Sequence, residues 1–384
     1  MNTTIRRAFL PGVAALALAV SLAACGSSDD DSSGSDSADA AGTTSSAATD
    51  SGAASGLSGK VAAGGSSAQE TAQETWRAGF GQDNPDVTIS YDPVGSGDGR
   101  ANFISGAYAF AGSDSAMDDD ELKQAKSKCG GDVIEVPAFI SPIDIIYNLP
   151  GVKDLQLSPA TVAGIFTGKI TKWNDSEIAA DNPDATLPST TITPVHRSDS
   201  SGTTDNFTDW LNKNAPKVWT DEHSSDWPTS IKGGESAEKT SGVTDTVGST
   251  EGMIGYADDS GVQGLDSVSV AKIKVGDSYV APSADGAAAG LSASKLVSPA
   301  STILSYSINR TSTDSSTYPL FMASYLIACP TYSDEATADI VKGFLTYAVS
   351  SDGQQAAAAN AYSAPLPDEI SAKATTAIST ITAG

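Results

Sequence analysis

From residue 57 onwards, short apolar runs typical of strands alternate with longer amphipathic segments typical of helices. Strand patterns occupy residues 60–63, 87–91 and 192–195, and a helix pattern occupies residues 69–80 directly after a glycine turn. Side-chain periods of about two and about 3.6 residues distinguish the two kinds of element. Their alternation predicts an α/β fold in which helices cover both faces of a sheet.

Three further segments refine this outline. The apolar runs at residues 133–136 and 143–147 predict two separate strands. Ser158 is a good N-cap for a helix that has proline at its first position. Residues 260–299 are rich in Gly, Ser and Ala and weakly patterned, so we expect them to be the least regular part of the folded body.

The first 25 residues have the pattern of an export signal. Arg6 and Arg7 precede a mostly apolar core that is shorter than a typical transmembrane helix. The sequence Leu-Ala-Ala-Cys at residues 22–25 resembles a lipobox. This resemblance implies removal of a signal peptide, residues 1–24, and lipidation of Cys25 at the extracytoplasmic face of the cell membrane. The alternative is an ordinary signal peptide followed by a chance cysteine.

Residues 26–56 contain only Gly, Ser, Asp, Ala and Thr, including six aspartates. Such a segment has no apolar surface to bury, and its like charges repel each other, so it is predicted to be disordered. We therefore expect residues 25–56 to form a tether between the lipid anchor and the folded body. That body, from about residue 57, is long enough for two domains.

The chain is strongly acidic, with 22 Lys and Arg against 47 Asp and Glu and a formal net charge of −25. No basic stripe is visible, which argues against a nucleic-acid partner. An anionic ligand must therefore be held by local dipoles and hydrogen bonds. The two histidines, His196 and His223, show no zinc-type spacing with cysteine, so we predict no metal site and no cofactor.

Two cysteines, Cys129 and Cys329, remain once Cys25 is assigned to lipidation. Disulfides persist in the compartment of an exported protein, and a bridge here would close a very long loop. The sequence predicts a Cys129–Cys329 disulfide, and two buried free thiols are the alternative.

Three segments carry the groups that an oxyanion site requires. Residues 64–69 combine a glycine turn with hydroxyls at a helix start, where backbone N–H groups lack acceptors. In residues 94–100, glycines flank Ser96 without the lysine of a P-loop, which argues against nucleotide binding. Residues 195–204 place Arg197 and several hydroxyls before a helix pattern. Each segment has a plainer interpretation as a cap, a turn or a surface arginine, but together they predict a site for one tetrahedral anion.

Several longer patterns occur in a fixed order along the folded body: Gly-Gly-Ser-Ser at 64–67, Tyr-Asp-Pro-Val-Gly-Ser at 91–96, Phe-Ala-Gly-Ser-Asp at 110–114, Ile-Phe-Thr-Gly-Lys-Ile-Thr-Lys-Trp-Asn-Asp at 165–175, Arg-Ser-Asp-Ser-Ser-Gly-Thr at 197–203 and Gly-Met-Ile-Gly-Tyr at 252–256. In order and spacing they resemble the phosphate-binding proteins that feed phosphate ABC importers. The resemblance implies a two-lobed α/β fold of the periplasmic-binding-protein type II, with a ligand crevice between the lobes. It implies ABC permease subunits as partners. It also implies that lobe one comprises residues 57–142 and 305–384 and lobe two residues 143–304.

Carried over position by position, the resemblance implies a phosphate-binding set of hydroxyl, backbone, carboxylate and guanidinium groups: Ser67, Ala68, Ser96, Asp114, Arg197, Ser201, Gly202 and Thr203. It also implies that Asp199 positions the arginine. Two departures from the family pattern stand out. Ser67-Ala68 replaces the more usual Thr-Phe, and Gly97-Asp98-Gly99 replaces the commoner Ser-Gly-Gly, which leaves Asp98 without an assigned role.

Asp114 is expected to select phosphate. Near neutral pH phosphate carries at least one proton that a buried carboxylate accepts, whereas sulfate offers only acceptor oxygens. We predict a binding protein without catalysis, because no G-x-S-x-G elbow and no evident triad appear. The alternatives are a secreted phosphatase, a surface phosphate sensor or adhesin, and a binder of sulfate or molybdate.

Overall fold

A computed structural model describes residues 56–298 and 300–384 of the chain. The predicted signal peptide, the predicted lipidation site Cys25 and the tether as far as residue 55 lie outside the described residues. No helix in the described part of the chain is long and apolar enough to cross a membrane.

The strands are β1 Ser58–Gly65, β2 Asp86–Asp92, β3 Phe110–Ser113, β4 Ile134–Tyr147, β5 Gln156–Leu157, β6 Thr193–Arg197, β7 Glu235–Ala237, β8 Met253–Asp258, β9 Ser269–Val270, β10 Lys272–Val275, β11 Ser278–Val280, β12 Lys295–Leu296, β13 Tyr306–Ser307, β14 Phe321–Ala328, β15 Thr331–Tyr332 and β16 Thr382–Ala383. The helices are α1 Glu70–Asp83, α2 Ser96–Ser105, α3 Asp119–Lys128, α4 Pro159–Phe166, α5 Ser176–Asp181, α6 Gly202–Asn214, α7 Lys239–Ser249, α8 Ala284–Ser292, α9 Glu335–Val349, α10 Ser351–Ala361 and α11 Asp368–Ser379. The predicted α/β class is confirmed, and Ser158 is the N-cap of α4 as expected.

One large sheet runs in the order β2-β1-β3-β14-β4-β8-β6-β7, with β9 beside β4. β1 is parallel to β2 and β3, and β6 is parallel to β7 and β8. The two central strands, β4 and β14, are antiparallel to each other and buried along their whole length. Helices α2 and α9 pack against β1, whereas α8 and α11 pack against β4. A mixed sheet covered by helices therefore forms the core.

Strand β4 is one continuous strand of 14 residues, so the prediction of two strands at 133–136 and 143–147 was wrong. As far as Pro142 it pairs with β14, and from the next residue onwards it pairs with β8. Proline lacks an N–H group and is normally confined to strand edges and bulges. Here Pro137 pairs with Tyr325 next to a β-bulge, and Pro142 lies where β4 changes its partner from β14 to β8. The two positions without a backbone N–H therefore lie where the hydrogen bonding between the strands is irregular.

The segment 260–299 is more regular than predicted, since it contains β9 to β12 and α8. Its strands are only two to four residues long, which is too short for an alternation of apolar and polar residues to be recognised in the sequence. The helix α8 is rich in small residues because it packs closely on β14. A Cβ added at Gly290 would lie 2.7 Å from the ring of Phe321.

Cys129, directly after α3, and Cys329, directly after β14, are disulfide-bonded with an S–S distance of 2.00 Å. The predicted bridge is therefore present. It joins residues 200 positions apart and ties the end of a helix to a central strand.

Three loops that follow strands of the sheet approach one another. β1 leads into residues 66–69 and α1, β3 leads into Asp114, and β6 leads into residues 198–201 and α6. In open α/β sheets, ligand crevices usually lie outside the carboxyl ends of the strands. The fold thus brings together chain segments that are far apart in the sequence.

Candidate functional site

The loop after β1 is organised by Ser66, which is completely buried. Its oxygen accepts hydrogen bonds from the N–H groups of Ala68 (3.1 Å) and Gln69 (3.2 Å), and its proton is donated to Asp114 Oδ1 at 2.6 Å. The sequence analysis singled out Ser67 and Ala68 in this loop and missed Ser66. A hydroxyl placed two or three residues before free N–H groups is the signal that could have identified it.

Asp114, directly after β3, accepts three side-chain hydrogen bonds and is only 2% exposed. Its Oδ1 accepts from Ser66 and Ser324, each at 2.6 Å, and its Oδ2 accepts from Ser96 at 3.2 Å. Burial raises the pKa of Asp114, whereas hydrogen bonds, foremost that of Ser324, and the charge of Arg197 oppose this effect. Ser324 lies in β14, 210 residues from Asp114, so no local pattern indicated it.

Arg197 ends β6 and is buried. Its Nε donates to Asp199 Oδ1 at 2.7 Å, and its Nη2 donates to Asp199 Oδ2 and, at 3.0 Å, to Ser67 Oγ. The N–H of Lys239 also donates to Asp199, at 3.1 Å. Burial alone would raise the pKa of Asp199, but hydrogen bonding and the charge of Arg197 hold it below its ordinary value. The guanidinium is therefore held in one orientation.

Helix α6 begins beside Asp114. Ser201 is the N-cap and accepts a hydrogen bond from the N–H of Thr204 at 3.2 Å. The first N–H groups of a helix have no acceptor within it, and they carry the positive end of the helix dipole. Thr203 is buried, and its hydroxyl has no hydrogen-bond partner among the described residues. Because buried polar groups are nearly always paired, this hydroxyl is available to a bound acceptor.

Two glycines permit the first turn of α2 to pack closely against the start of α6 and the loop before it. The N–H of Gly97 donates to Ser200 O at 3.0 Å, and a Cβ added at Gly97 would lie 2.0 Å from Ser200 Oγ. Likewise, a Cβ added at Gly202 would lie 2.6 Å from Ser96 Oγ. Any larger side chain would force these loops apart.

A second buried carboxylate, Asp258 at the end of β8, also borders the site. It accepts hydrogen bonds from Thr240 Oγ1 at 2.7 Å and from Ser260 Oγ. The N–H of Thr240 in turn donates to Ser67 Oγ at 3.2 Å. Burial raises the pKa of Asp258 to about 6, although its two hydroxyl partners lower it. The sequence analysis missed Asp258, which lies only two residues beyond the family-like segment at 252–256.

Tyr256 supports the site from the core. Its hydroxyl accepts from the N–H of Arg197 at 3.3 Å and lies 2.7 Å from Thr204 Oγ1. Its ring stacks on Phe207, with the ring centroids 4.2 Å apart. Burial raises the pKa of Tyr256 to about 12, so the hydroxyl is neutral at physiological pH. Tyr256 therefore positions both Arg197 and the first turn of α6.

The structure places the predicted site residues in two groups that meet. Ser96, Asp114 and Gly202 contact one another, and Ser67 contacts Arg197. The N–H of Ala68 is already bonded to Ser66 Oγ, and Ser201 and Thr203 flank the start of α6. Asp98 is exposed and has no side-chain hydrogen bond or ion pair within residues 56–298 and 300–384, and this chain offers no role for it in the site.

Comparisons with known proteins identify the family of this chain. Residues 34–352 match a family model described as the PBP superfamily domain. The chain is 32% identical over 342 residues to the phosphate-binding protein PstS2 of Mycobacterium bovis (strain BCG / Pasteur 1173P2), covering 85% of this chain and 91% of that protein. It is 33% identical over 325 residues to the phosphate-binding protein PstS 3 of Mycobacterium tuberculosis (strain ATCC 25618 / H37Rv), covering 84% and 86%. The chain belongs to the phosphate-binding protein family of ABC transporters.

Solved structures place this phosphate-binding protein in the two-lobed type II fold. The high-affinity periplasmic phosphate-binding protein PfluDING, solved with bound phosphate, superposes with a TM-score of 0.65 at 24% identity, covering 83% of this chain and 93% of that one. The phosphate-binding protein from Stenotrophomonas maltophilia superposes with a TM-score of 0.64 at 20% identity, covering 83% and 93%. At these identities the likeness shows the fold, and the predicted fold is confirmed.

The candidate site of this phosphate-binding protein offers several hydrogen-bond donors beside a carboxylate acceptor. The donors are the guanidinium of Arg197, the Thr203 hydroxyl and the first N–H groups of α6. The acceptor is the Asp114 carboxylate. Neutral donors and an oriented cation suit a small oxyanion, and a carboxylate can accept a hydrogen bond from an oxyanion that carries a proton.

Proposed function

We propose that this protein captures inorganic phosphate where the loops before α1, α2 and α6 meet, and delivers it to the permease of an ABC importer. One observation carries the proposal: the buried Thr203 hydroxyl, which has no partner among residues 56–298 and 300–384, lies at the helix start that contacts Asp114 and Ser96. The relatives named above are phosphate-binding proteins, and PfluDING was solved with phosphate bound, which supports this choice of ligand.

Hydrogen bonding favours phosphate over sulfate at this site. A phosphate that carries one proton donates to Asp114 and accepts from Arg197, Thr203 and the start of α6. Sulfate has no proton to donate, so its oxygen faces the carboxylate. A buried acceptor left without a donor costs about 1–3 kcal/mol, and more when it is charged. Like-charge repulsion in a dry crevice adds to this cost.

We propose binding without catalysis. A hydrolase of this kind needs an activated nucleophile or a metal. The hydroxyl protons of Ser66, Ser96 and Ser324 are committed to Asp114, which is a poor base for activating them. The two histidines are engaged with other groups: His196 Nδ1 faces a backbone carbonyl, and His223, which lines the cavity beside Asp114, has its Nδ1 paired with Asp205.

We also propose the lobe boundaries stated above. Strand β4 pairs with β14 up to Pro142 and with β8 from Ile143, which supports lobe one as residues 57–142 and 305–384 and lobe two as residues 143–304. Export and lipid anchoring at Cys25 are part of the same proposal, and they rest on the signal and lipobox patterns alone.

Calorimetric titration of the purified chain, stripped of bound anion, tests the ligand. We expect tight binding of phosphate without a measurable heat for sulfate, and loss of phosphate binding in Asp114→Ala and Arg197→Ala. A folded protein that gives no heat with phosphate would contradict the proposal and favour another oxyanion or an adhesive role.

Delivery is a separate question with its own test. We expect the lipid-anchored protein to co-purify with permease subunits from membranes, and we expect its deletion to reduce phosphate uptake by intact cells. A phosphate sensor or adhesin predicts phosphate binding without either effect.

A further inference from the structure

The two carboxylate oxygens of Asp114 have different surroundings. Oδ1 accepts two short hydrogen bonds, from Ser66 Oγ and Ser324 Oγ, both at 2.6 Å. From the described part of the chain, Oδ2 accepts only the longer bond from Ser96 Oγ, at 3.2 Å. A carboxylate oxygen has two in-plane lone pairs, so Oδ1 is saturated and Oδ2 has one acceptor position left.

The surroundings of both hydroxyls that bind Oδ1 direct their protons toward it. Ser66 Oγ accepts from the N–H groups of Ala68 and Gln69, so its single proton is the only group it can offer to Asp114. Ser324 Oγ accepts from Gln69 Nε2 at 2.6 Å, and its proton is likewise directed to Asp114. Ser66 cannot turn and accept a proton from the carboxyl group without breaking a buried hydrogen bond. Ser324 has a second acceptor, the Ser113 carbonyl at 3.3 Å, so its donation to Asp114 rests on the much shorter contact of 2.6 Å.

The side-chain amide of Gln69 is held in one orientation. Its Nε2 also donates to the carbonyl of Tyr325 at 3.0 Å, and its Oε1 accepts from Gln73 Nε2 at 2.8 Å. A backbone carbonyl can only accept, so the amide atom that faces Tyr325 must be the nitrogen. Gln69, Gln73 and Ser324 are all completely buried. A fixed series of donors therefore runs from Gln73 through Gln69 and Ser324 to Asp114.

We propose that Gln69 and Ser324 determine the specificity of the site by holding Asp114 as an ionised acceptor with only Oδ2 open to the ligand. The site then takes a tetrahedral oxyanion that brings its own proton, such as phosphate or arsenate, and excludes fully deprotonated sulfate. Gln69 and Ser324 are positioning residues, because they act through Asp114. The inference rests on the proposed phosphate function.

The electrostatics of the site support this inference. Among the influences that counteract the effect of burial on the pKa of Asp114, the hydrogen bond from Ser324 is the largest. The ionisable groups with the clearest influence on Asp114 are Arg197 from β6, Asp258 from β8 and Tyr91 from β2. The cavity beside Asp114 is also lined by titratable and charged side chains from α6 and the segments after it: Asp205, Asp209, Lys213, His223 and Arg310. A substitution at Ser324 leaves all of these groups in place. Removing its hydroxyl therefore raises the pKa of Asp114 without changing the charges nearby.

The test compares Ser324→Ala with a matched control, Ser141→Ala. Ser141 lies on the neighbouring strand β4, is also completely buried and donates to a backbone carbonyl rather than to Asp114. Both variants lose one buried hydroxyl. Full-length protein is titrated with inorganic phosphate and with sulfate at several pH values from mildly acidic to mildly alkaline.

We expect Ser324→Ala to lower the ratio of phosphate to sulfate affinity by about tenfold or more, since a hydrogen bond to a charged group contributes about 1.5–3 kcal/mol. Protonated Asp114 can donate to sulfate, so we expect sulfate binding to extend to higher pH by about one unit. Ser141→Ala should retain the wild-type ratio and pH profile. Gln69→Met removes the donor that holds the Ser324 hydroxyl, which can then turn toward the Ser113 carbonyl at 3.3 Å. We therefore expect this variant to change the affinity ratio and the pH profile in the same direction as Ser324→Ala.

The outcomes are distinguishable. If wild-type protein does not bind phosphate, the proposed function fails. If wild-type protein binds phosphate but Ser324→Ala has the same ion ratio and pH profile as Ser141→Ala, the positioning role is overturned. Should Ser324→Ala fail to fold, as judged by circular dichroism, Gln69→Met decides the question by the same two measurements.

Discussion

Arg197 and Asp199 form a bidentate ion pair in which Nε donates to Oδ1 at 2.7 Å and Nη2 donates to Oδ2. The arginine side chain is 2% exposed and the aspartate side chain 10% exposed. A planar guanidinium bound in this way loses its rotational freedom before any ligand arrives. In addition, Nη2 reaches Ser67 Oγ, so the pair links the loop after β6 to the loop after β1.

Asp199→Asn should weaken both stability and binding. The substitution leaves the buried Arg197 charge without its counter-ion, and breaking a buried pair costs about 3–5 kcal/mol. We expect a loss of that order in the free energy of unfolding, measured with urea in the absence of phosphate. As a control, Asp154→Asn removes the exposed partner of Lys272 and should cost less than about 1 kcal/mol. Equal losses in the two variants would contradict the structural role of the pair.

Thr203→Val should separate binding from folding. The substitution keeps the size of the side chain and removes a buried hydroxyl that has no partner in the described part of the protein. We expect phosphate affinity to fall about tenfold, because one hydrogen bond contributes about 1 kcal/mol or more. Stability without phosphate should stay the same or rise slightly.

The control for this experiment lies on the same helix. Thr208 is also buried, but its hydroxyl donates to Asp205 O and accepts from Ser224 N. Thr208→Val should therefore reduce stability and leave phosphate affinity unchanged. If Thr203→Val binds phosphate as tightly as wild type, its hydroxyl does not contact the ligand.

Asp258 makes the stability of the protein depend on pH. Burial raises its pKa from 3.8 to about 6, so the folded protein holds a proton that the unfolded chain has released at intermediate pH. Its contribution to stability is therefore complete below pH ~4 and is lost as the pH rises through about 6. The lost stability amounts to about 3 kcal/mol, at about 1.4 kcal/mol per pKa unit.

Asp258→Asn tests this linkage by urea unfolding near pH 4.5 and near pH 7.5. We expect the variant to gain about 2 kcal/mol relative to wild type between the lower and the higher pH, because asparagine does not ionise. Asp86→Asn, at an exposed position of β2, is the control, and its free energy of unfolding should differ from that of wild type by the same amount at both pH values. A pH-independent difference for Asp258→Asn would mean that Asp258 is ionised throughout.

The Cys129–Cys329 disulfide should contribute to stability without affecting the ligand. Closing a loop of 200 residues stabilises the folded state by about 5 kcal/mol in the chain-entropy model. We expect the double variant Cys129→Ser, Cys329→Ser to lose a large part of this in urea unfolding. Its phosphate affinity at 25 °C should match wild type, because neither cysteine contacts a site residue named above. A clear loss of affinity in the folded variant would show that the bridge positions β14 and Ser324.

How much the sequence predicted depends on the distance over which each feature is encoded. A few consecutive residues encode the strand before Gly64, the N-cap at Ser158 and the helix after Ser201. The structure has all three. The Arg197–Asp199 pair was also predicted, because its members are two positions apart. The separation of β4 into two strands was a local error, since two prolines usually end a strand and here fall at irregular points of the ladder.

The sequence alone determined the α/β class, the glycine- and hydroxyl-rich loops and the arginine that a small oxyanion requires, because these depend on local propensity and on periodicity. Only the tertiary structure decided which hydroxyls surround Asp114. Ser324 reaches it from a strand 210 positions away, and Asp258 joins the site through Thr240. Serine and aspartate are common in this chain and carry no distinguishing local signal. Their roles arise from burial, which removes competing water and gives each proton a single acceptor.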